Sequence, residues 1–246
     1  MERARKIGDG DSFGSAADVY ERARPTYPLE AARWLVPEGA TTVLDLGAGT
    51  GKFTRSLVEL GLDVTAVEPD ERMRATLATA LPGVTPLAGT AEHLPVDDSS
   101  VDAITVAQAW HWVDPALAVP EAARALRPGG TLGLIWNLRD ERVDWVRELG
   151  TAMHRSEAER FTQGAIEIGE PFGETEYFEV GWSRETDLDG VLELVASRSY
   201  FITADDAGKE EITDAVRTLV AEHPDLRGRP TFTLPYVTRC FRARLR

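Results

Sequence analysis

The chain is predicted to fold as one doubly wound, Rossmann-like α/β domain, a mostly parallel sheet with helices on both faces, and three observations carry that prediction. Short β-branched apolar runs alternate with helix-period segments from about residue 29 to residue 138. The first of those runs passes straight into a helix through a glycine-rich turn, Asp45–Gly51. The runs are short and rich in β-branched residues, as buried strands of a parallel sheet are. Strands alternating with helices in this way build βαβ units.

The predicted strands of this region are Thr42–Leu46, Asp63–Val67, Val101–Ala107 and Thr131–Trp136. Between them, helical spacing covers Lys52–Leu60, Asp70–Leu81 and a stretch within Pro115–Leu126. Pro120 lacks a backbone N–H, so the last of these helices is expected to start or kink there. Arg-Pro-Gly-Gly at 127–130 is expected to end it and turn the chain into the next strand. Beyond residue 138 the pattern is less regular. Glu141–Arg160 reads as helix, whereas Phe161–Gly173 supports neither period. Tyr177–Trp182 reads as a strand, Leu188–Ser199 and Asp206–Glu222 as helices, and Thr231–Leu245 as a long final strand. The chain shows no internal repeat and no low-complexity linker. One domain, 1–246, is therefore expected, with an N-terminal lid segment at 1–28, a core at 29–138, and late strands carrying helical insertions at 139–246.

Composition narrows the partners. The formal charge of −14 opposes binding to duplex nucleic acid, which needs a basic surface to displace counterions from phosphates. Small-molecule chemistry is the better expectation. No apolar stretch approaches the ~20 residues that span a bilayer, and the charged N-terminus does not resemble a secretory signal. Cys240 is the one cysteine, which excludes an intrachain disulfide and suits a reducing cytoplasm. It reads as a packed side chain.

The turn identifies the kind of ligand. Gly47, Gly49 and Gly51 remove Cβ atoms where the backbone must bend sharply and admit a ligand. The helix that follows offers unpaired N–H groups and a positive dipole end. In open α/β sheets, ligands bind at such strand ends. The dinucleotide pattern G-x-G-x-x-G requires a glycine where Lys52 stands, so it fails. No phosphate-binding P-loop occurs. Asp45 would sit badly beside a pyrophosphate and well beside an ammonium group. Glu68 closes the next strand, where a carboxylate can accept both hydroxyls of a ribose. Asp70, two residues on, reads as a helix cap.

Four segments in order, LDLGAGTGKFT at 44–54, VEPD at 67–70, GTAEHLPVDDSSVDAI at 89–104 and LRPGG at 126–130, resemble the class I S-adenosylmethionine-dependent methyltransferases, in particular their type 11 branch. The flanks Tyr20–Pro28 and Ala107–Asp114, with Thr233–Thr238 near the end, are similar to relatives of trans-aconitate methyltransferase. The resemblance implies a sheet of order 3-2-1-4-5-7-6 with an antiparallel last strand, and S-adenosylmethionine as cofactor. It implies that Asp45, Gly47, Ala48, Gly49 and Gly51 surround the methionine part, and that Glu68 binds the ribose. Pro69 and Met73 would flank the adenine, Ala91 and Glu92 would meet its edge, and Gln108 would touch the methionine portion. Tyr20 and Arg24 would close over the cofactor, with Arg24 at its carboxylate. Thr90 stands where the family pattern has Asp, so Glu92 or a backbone group would have to serve the adenine amine. Met73 also reads as a core residue of its helix, Tyr20 and Tyr27 as packing groups, and Arg24 as a surface ion-pair partner.

The resemblance implies transfer of a methyl group to a small-molecule acceptor. A carboxylate acceptor needs no base, whereas a hydroxyl does. His111, just past the strand Val101–Ala107, is the candidate base; its alternative role is to bond a neighbouring loop and position Trp110 and Trp112. His93 and His154 have no motif behind them, and His223, before Pro224, reads as a helix-end residue. Arg139, Arg142 and Arg198 are candidates to receive an acidic acceptor. No zinc spacing occurs, and Asp140 with Glu141 does not make a magnesium site, so no metal is expected. Two other functions fit the residues less well: a catalytically silent binder of S-adenosylmethionine, and a nicotinamide-dependent oxidoreductase.

Overall fold

The computed structural model describes residues 25–153, 161, 162, 164 and 166–246. In chain order its elements are α1 (Leu29–Leu35), β1 (Thr42–Leu46), α2 (Lys52–Glu59), β2 (Asp63–Val67), α3 (Glu71–Ala80), β3 (Pro86–Leu87) and β4 (Val101–Ala107). A 3-10 turn (Trp110–Trp112), α4 (Pro115–Ala125), β5 (Leu126–Arg139) and α5 (Asp144–Ala152) follow. The chain closes with β6 (Glu176–Thr186), α6 (Leu188–Ala196), α7 (Ser199–Thr203), α8 (Asp206–Glu222) and β7 (Phe232–Arg244). The strands form one sheet of order β3-β2-β1-β4-β5-β7-β6. β1 to β5 pair in parallel, and β7 runs antiparallel between β5 and β6. This is the order and direction the sequence resemblance implies.

Alternation along β5 divides the core between the two faces. Leu132, Leu134 and Trp136 pack with Ile104, Val106, Ala118, Val119 and Ala122 on the α4 side. Ile135 packs with Ala31, Leu35, Phe53, Leu57 and Cys240 on the α1–α2 side. Burial pushes the Cys240 thiol pKa up to about 12, so it remains a protonated packing group. The antiparallel pair of β6 and β7 runs past the end of β5, since Arg139 pairs with Tyr236 while Thr186 pairs with Phe232. Helices α5, α6 and α8 cover that extension, packing Trp145, Leu149, Leu194 and Val216 with Leu234 of β7. Among the described residues no helix is long and apolar enough to cross a membrane.

Several boundaries differ from the sequence expectation. Helix α4 starts at Pro115, not at Pro120, because Asp114 caps it by accepting the Ala116 N–H; Pro120 lies inside the helix. Arg127–Gly130 is already part of β5: Leu126 pairs with Val101, and a register shift absorbs the extra residues before Thr131 meets Ala103. The helix expected from Glu141 begins at Asp144, after Arg142 folds its side chain and backbone N–H onto Asp140; residues 154–160 lie outside the described residues. The helix expected over Leu188–Ser199 ends at Ala196. The two-residue β3 and the five-residue α7 carry too little pattern to be read.

One half-buried anchor holds the amino edge of the sheet. Asp102 Oδ2 accepts the backbone N–H groups of Thr41 and Thr42 at 2.9 and 3.0 Å, and Arg127 Nη1 donates to Oδ1 at 2.6 Å. Burial would raise the Asp102 pKa, but these donors outweigh it and hold the carboxyl well below the usual range. Its contribution to stability is therefore present above the ordinary carboxyl pKa and is lost as pH falls. Asp102→Ala is expected to cost about 2 kcal/mol in urea unfolding at pH 7. The difference from the wild type should shrink as pH is lowered toward 2.

Candidate active site

The glycine turn follows β1 and is fixed from below. The Gly47 and Ala48 N–H groups both donate to Val67 O, at 2.8 and 3.1 Å, which ties the turn to the end of β2. Gly47 has φ +68°, and a Cβ there would lie 2.9 Å from Ala109 Cβ. Gly51 has φ +90° at the cap of α2, and its Cβ would meet Leu77 Cγ at 2.9 Å. Gly47 is therefore required by the close approach of Ala109, just beyond β4, and Gly51 by the packing of α3.

Two acids stand at adjoining strand ends with different surroundings. Glu68 is buried, its Oε2 accepting the Gly49 N–H at 2.9 Å and its Oε1 the Asp70 N–H at 3.0 Å. Asp70 caps α3 by accepting from Arg72 and Met73 N–H, and Arg74 Nη1 donates to the carbonyls of Glu68 and Pro69. The carboxylate that could meet a ribose is thus rigidly mounted on the turn itself. Asp45 is fully buried beneath the turn. It accepts from Thr54 Oγ1 at 2.6 Å and Thr105 Oγ1 at 3.4 Å. Burial pushes its pKa up to about 7; the two threonines oppose the shift and the charge of Glu68 adds to it.

Above the turn lies a cleft, partly open to solvent, walled by Gly47–Gly49, Tyr27, Phe53, Gln108 and Asn137. Tyr27 and Phe53 meet edge to face at 5.0 Å. Gln108 adopts φ +58°, unusual for a residue with a side chain. Its N–H donates to Ile135 O and its Nε2 to Asn137 O. Asn137 in turn donates to Thr26 O and accepts from Thr238 Oγ1. These bonds join β4, β5, β7 and the incoming chain at the carboxyl edge.

A methyltransferase-domain family pattern matches residues 44–134, which contain the turn, Glu68 and Gln108. An uncharacterized methyltransferase of Mycobacterium tuberculosis is 53% identical over 234 residues, covering 95% of this chain and 96% of the relative. The chain belongs to the class I, S-adenosylmethionine-dependent methyltransferases. An uncharacterized methyltransferase-like protein of Schizosaccharomyces pombe is 31% identical over 243 residues, with 95% of each chain covered. A solved structure assigned as a type II methyltransferase of Anaeromyxobacter dehalogenans shares the fold, with a TM-score of 0.65 at 24% identity over 91% of this chain and 97% of that one.

The residues of this methyltransferase suit such a cofactor. Gly47, Ala48 and Gly49 give the cleft a floor with no side chain larger than a methyl group, and the carboxyl groups of Glu68 and Asp45 at the same strand ends favour a sulfonium and an ammonium over a pyrophosphate. Of the residues expected at the cofactor, Gly47, Ala48, Gly49 and Gln108 line the cleft. Met73 is 37% exposed, with Sδ 4.0 Å from where a Gly49 Cβ would stand. Ala91 packs in the core with Val67 and Leu94. Glu92 Oε1 accepts the Asp114 N–H at 3.2 Å, in front of α4. Burial acts to raise the Glu92 pKa, and hydrogen bonds from backbone N–H groups and Thr90 lower it below the ordinary value. Tyr20, Arg24 and His154 lie outside the described residues.

His111 sits in the 3-10 turn, three residues beyond Gln108, and is half-buried. Its ring lies 4.9 Å from Trp112 and 6.3 Å from Phe161. Trp110 is turned into the core while Trp112 is 68% exposed, so the two do not form one wall. Arg142 is bidentate on Asp140, and Arg139 is buried at the end of β5. Phe53 and Asn137 line the cleft without having been singled out from the sequence. The signal for Asn137 was a polar residue inside the apolar run 131–138.

Proposed function

We propose that this methyltransferase methylates an oxygen, hydroxyl or carboxylate, of a small-molecule acceptor by in-line displacement. The observation that carries this reading is the order of residues at the carboxyl edge: Gln108 lines the cofactor cleft, and His111 follows three residues on, in the 3-10 turn after β4. S-adenosylmethionine supplies an electrophilic methyl group on a sulfonium. Glu68 holds the ribose hydroxyls, Pro69 and Met73 flank the adenine, and Ala91 and Glu92 lie toward its edge. Gly47–Gly49 and Gln108 take the methionine portion, Asp45 biases its ammonium from beneath, and Tyr20 and Arg24 close over it. Held in this way, the donor presents its methyl along one line, and exclusion of water protects the transfer. With a hydroxyl acceptor, His111 receives the proton; with a carboxylate it only orients. The formal charge of −14 supports a small acceptor over a nucleic acid.

The test is incubation with methyl-labelled cofactor and a metabolite extract. Label should appear in a small molecule; transfer to nothing would instead support a binding-only protein. Once the acceptor is known, His111→Gln is expected to lower kcat about 100-fold for a hydroxyl acceptor while leaving S-adenosylhomocysteine affinity unchanged. Full turnover in that variant would remove His111 from the chemistry.

A further inference from the structure

A chain of side-chain hydrogen bonds crosses the late strands toward the cofactor cleft, and chemistry fixes its direction. Trp182 of β6 stacks on Tyr236, with ring centres 4.8 Å apart, and donates its indole N–H to Thr238 Oγ1 at 2.8 Å. An indole nitrogen only donates, so the Thr238 oxygen accepts there, and its own hydrogen goes to Asn137 Oδ1 at 2.5 Å. Thr238 is fully buried and stands opposite Asn137 in the pairing of β5 with β7. The Asn137 amide is therefore held one way round, oxygen toward Thr238 and nitrogen away from it. Its Nδ2 donates to Thr26 O at 3.0 Å.

An amide nitrogen carries two hydrogens, and the second on Asn137 meets no acceptor among the described residues. Asn137 is 8% exposed and lines the cofactor cleft. Folded proteins keep few buried donors unpaired, so a fixed amide with a spare hydrogen suits a ligand. The glycine turn has little to offer in its place. Gly47 and Ala48 spend their N–H groups on Val67 O, Gly49 on Glu68, and Gly51 on Ala48 O.

Charge selects the end of the ligand that lies there. Lys52 lines the same cleft and opens α2, at the positive end of that helix's dipole. The acids Asp45 and Glu68 belong to the ends of β1 and β2, whereas Asn137 is on β5, beyond β4 in the sheet. A cation and a spare N–H suit an anionic oxygen and oppose an ammonium. S-adenosylmethionine carries one such group, the carboxylate of its methionine portion.

We infer that Asn137 is a further cofactor-binding residue, which donates its second Nδ2 hydrogen to the methionine carboxylate, and that Thr238 and Trp182 are positioning residues that hold the amide in that orientation. The same amide ties Thr26, and with it Pro25 and Tyr27 of the cleft wall, to the carboxyl edge. This inference rests on the methyltransferase reading of the cleft and adds a binding residue to it.

The test is calorimetric titration of the full chain with S-adenosylhomocysteine and with its decarboxylated analogue, which keeps the ammonium and lacks the carboxylate. Asn137→Ala should weaken S-adenosylhomocysteine about tenfold or more and leave the analogue within about twofold of the wild type. Thr238→Val, close in shape, lets the amide turn over. It should weaken S-adenosylhomocysteine about threefold or more, again sparing the analogue, and it decides the matter if Asn137→Ala does not fold. Packing through Thr26 alone would weaken both ligands alike. A contact made only to the methyl acceptor would leave both unchanged. Either pattern would overturn the assignment. Absence of S-adenosylhomocysteine binding to the wild type would overturn the underlying reading, and is seen in the first titration.

Discussion

Replacing Glu68 by alanine is expected to weaken S-adenosylhomocysteine binding by at least about 100-fold, the largest single loss in the cofactor site. Two effects combine. The substitution removes the group proposed for both ribose hydroxyls. It also frees the Gly49 and Asp70 N–H groups, so the turn loses the carboxylate that holds it against the end of β2. Stability should fall less, by about 2 kcal/mol, because Gly47 and Ala48 remain tied to Val67. Calorimetric titration beside urea unfolding separates the two losses. Glu68→Gln, which keeps one acceptor oxygen, should recover part of the affinity. A Glu68→Ala variant that binds with wild-type affinity would show that the ribose lies elsewhere.

Asp45 makes stability depend on pH in a direction opposite to that of a surface carboxylate. Its folded pKa is raised from 3.8 to about 7, so the unfolded chain releases this proton first as pH rises. Between about pH 4 and 7 the folded state binds more protons, and raising the pH therefore destabilises it. Above that window both states are ionised and the penalty stays constant, on the order of 4 kcal/mol. Asp45→Asn keeps the shape, stays neutral and removes the penalty. Its stability relative to the wild type should rise steadily from pH 4 to 7 in urea unfolding. A bound ammonium would favour ionised Asp45. S-adenosylhomocysteine binding near pH 6.5 should therefore release a proton, seen as a heat that varies with buffer in the wild type and not in Asp45→Asn. A difference in stability independent of pH would contradict the buried, proton-sharing role.

The sequence made the parallel half of the sheet legible because buried parallel strands are short runs rich in β-branched apolar residues. β1, β2 and β4 match their expected limits at both ends. What it concealed depends on tertiary placement. The register that sets Asp45 opposite Ala66 and Thr105 puts its carboxyl inside, against hydroxyls, and an acid at a strand end reads the same whether it faces in or out. Pro120 broke the helical pattern on paper, but the Asp114 cap and Pro115 had already started α4. The glycines were legible as a turn, yet only packing shows that Gly47 is pressed on Ala109 and Gly51 on Leu77, while Gly49 has space beside Met73. Phe53 and Asn137 reach the cleft through contacts with Tyr27 and Thr238, partners far away in the chain.

We propose that the cleft over Gly47–Gly49 holds S-adenosylmethionine against Glu68. Isothermal titration of the wild type with S-adenosylhomocysteine and with NAD decides this. A single S-adenosylhomocysteine site of micromolar affinity is expected, lost in Glu68→Ala, with no heat from NAD. Saturable binding of NAD in place of S-adenosylhomocysteine would contradict it.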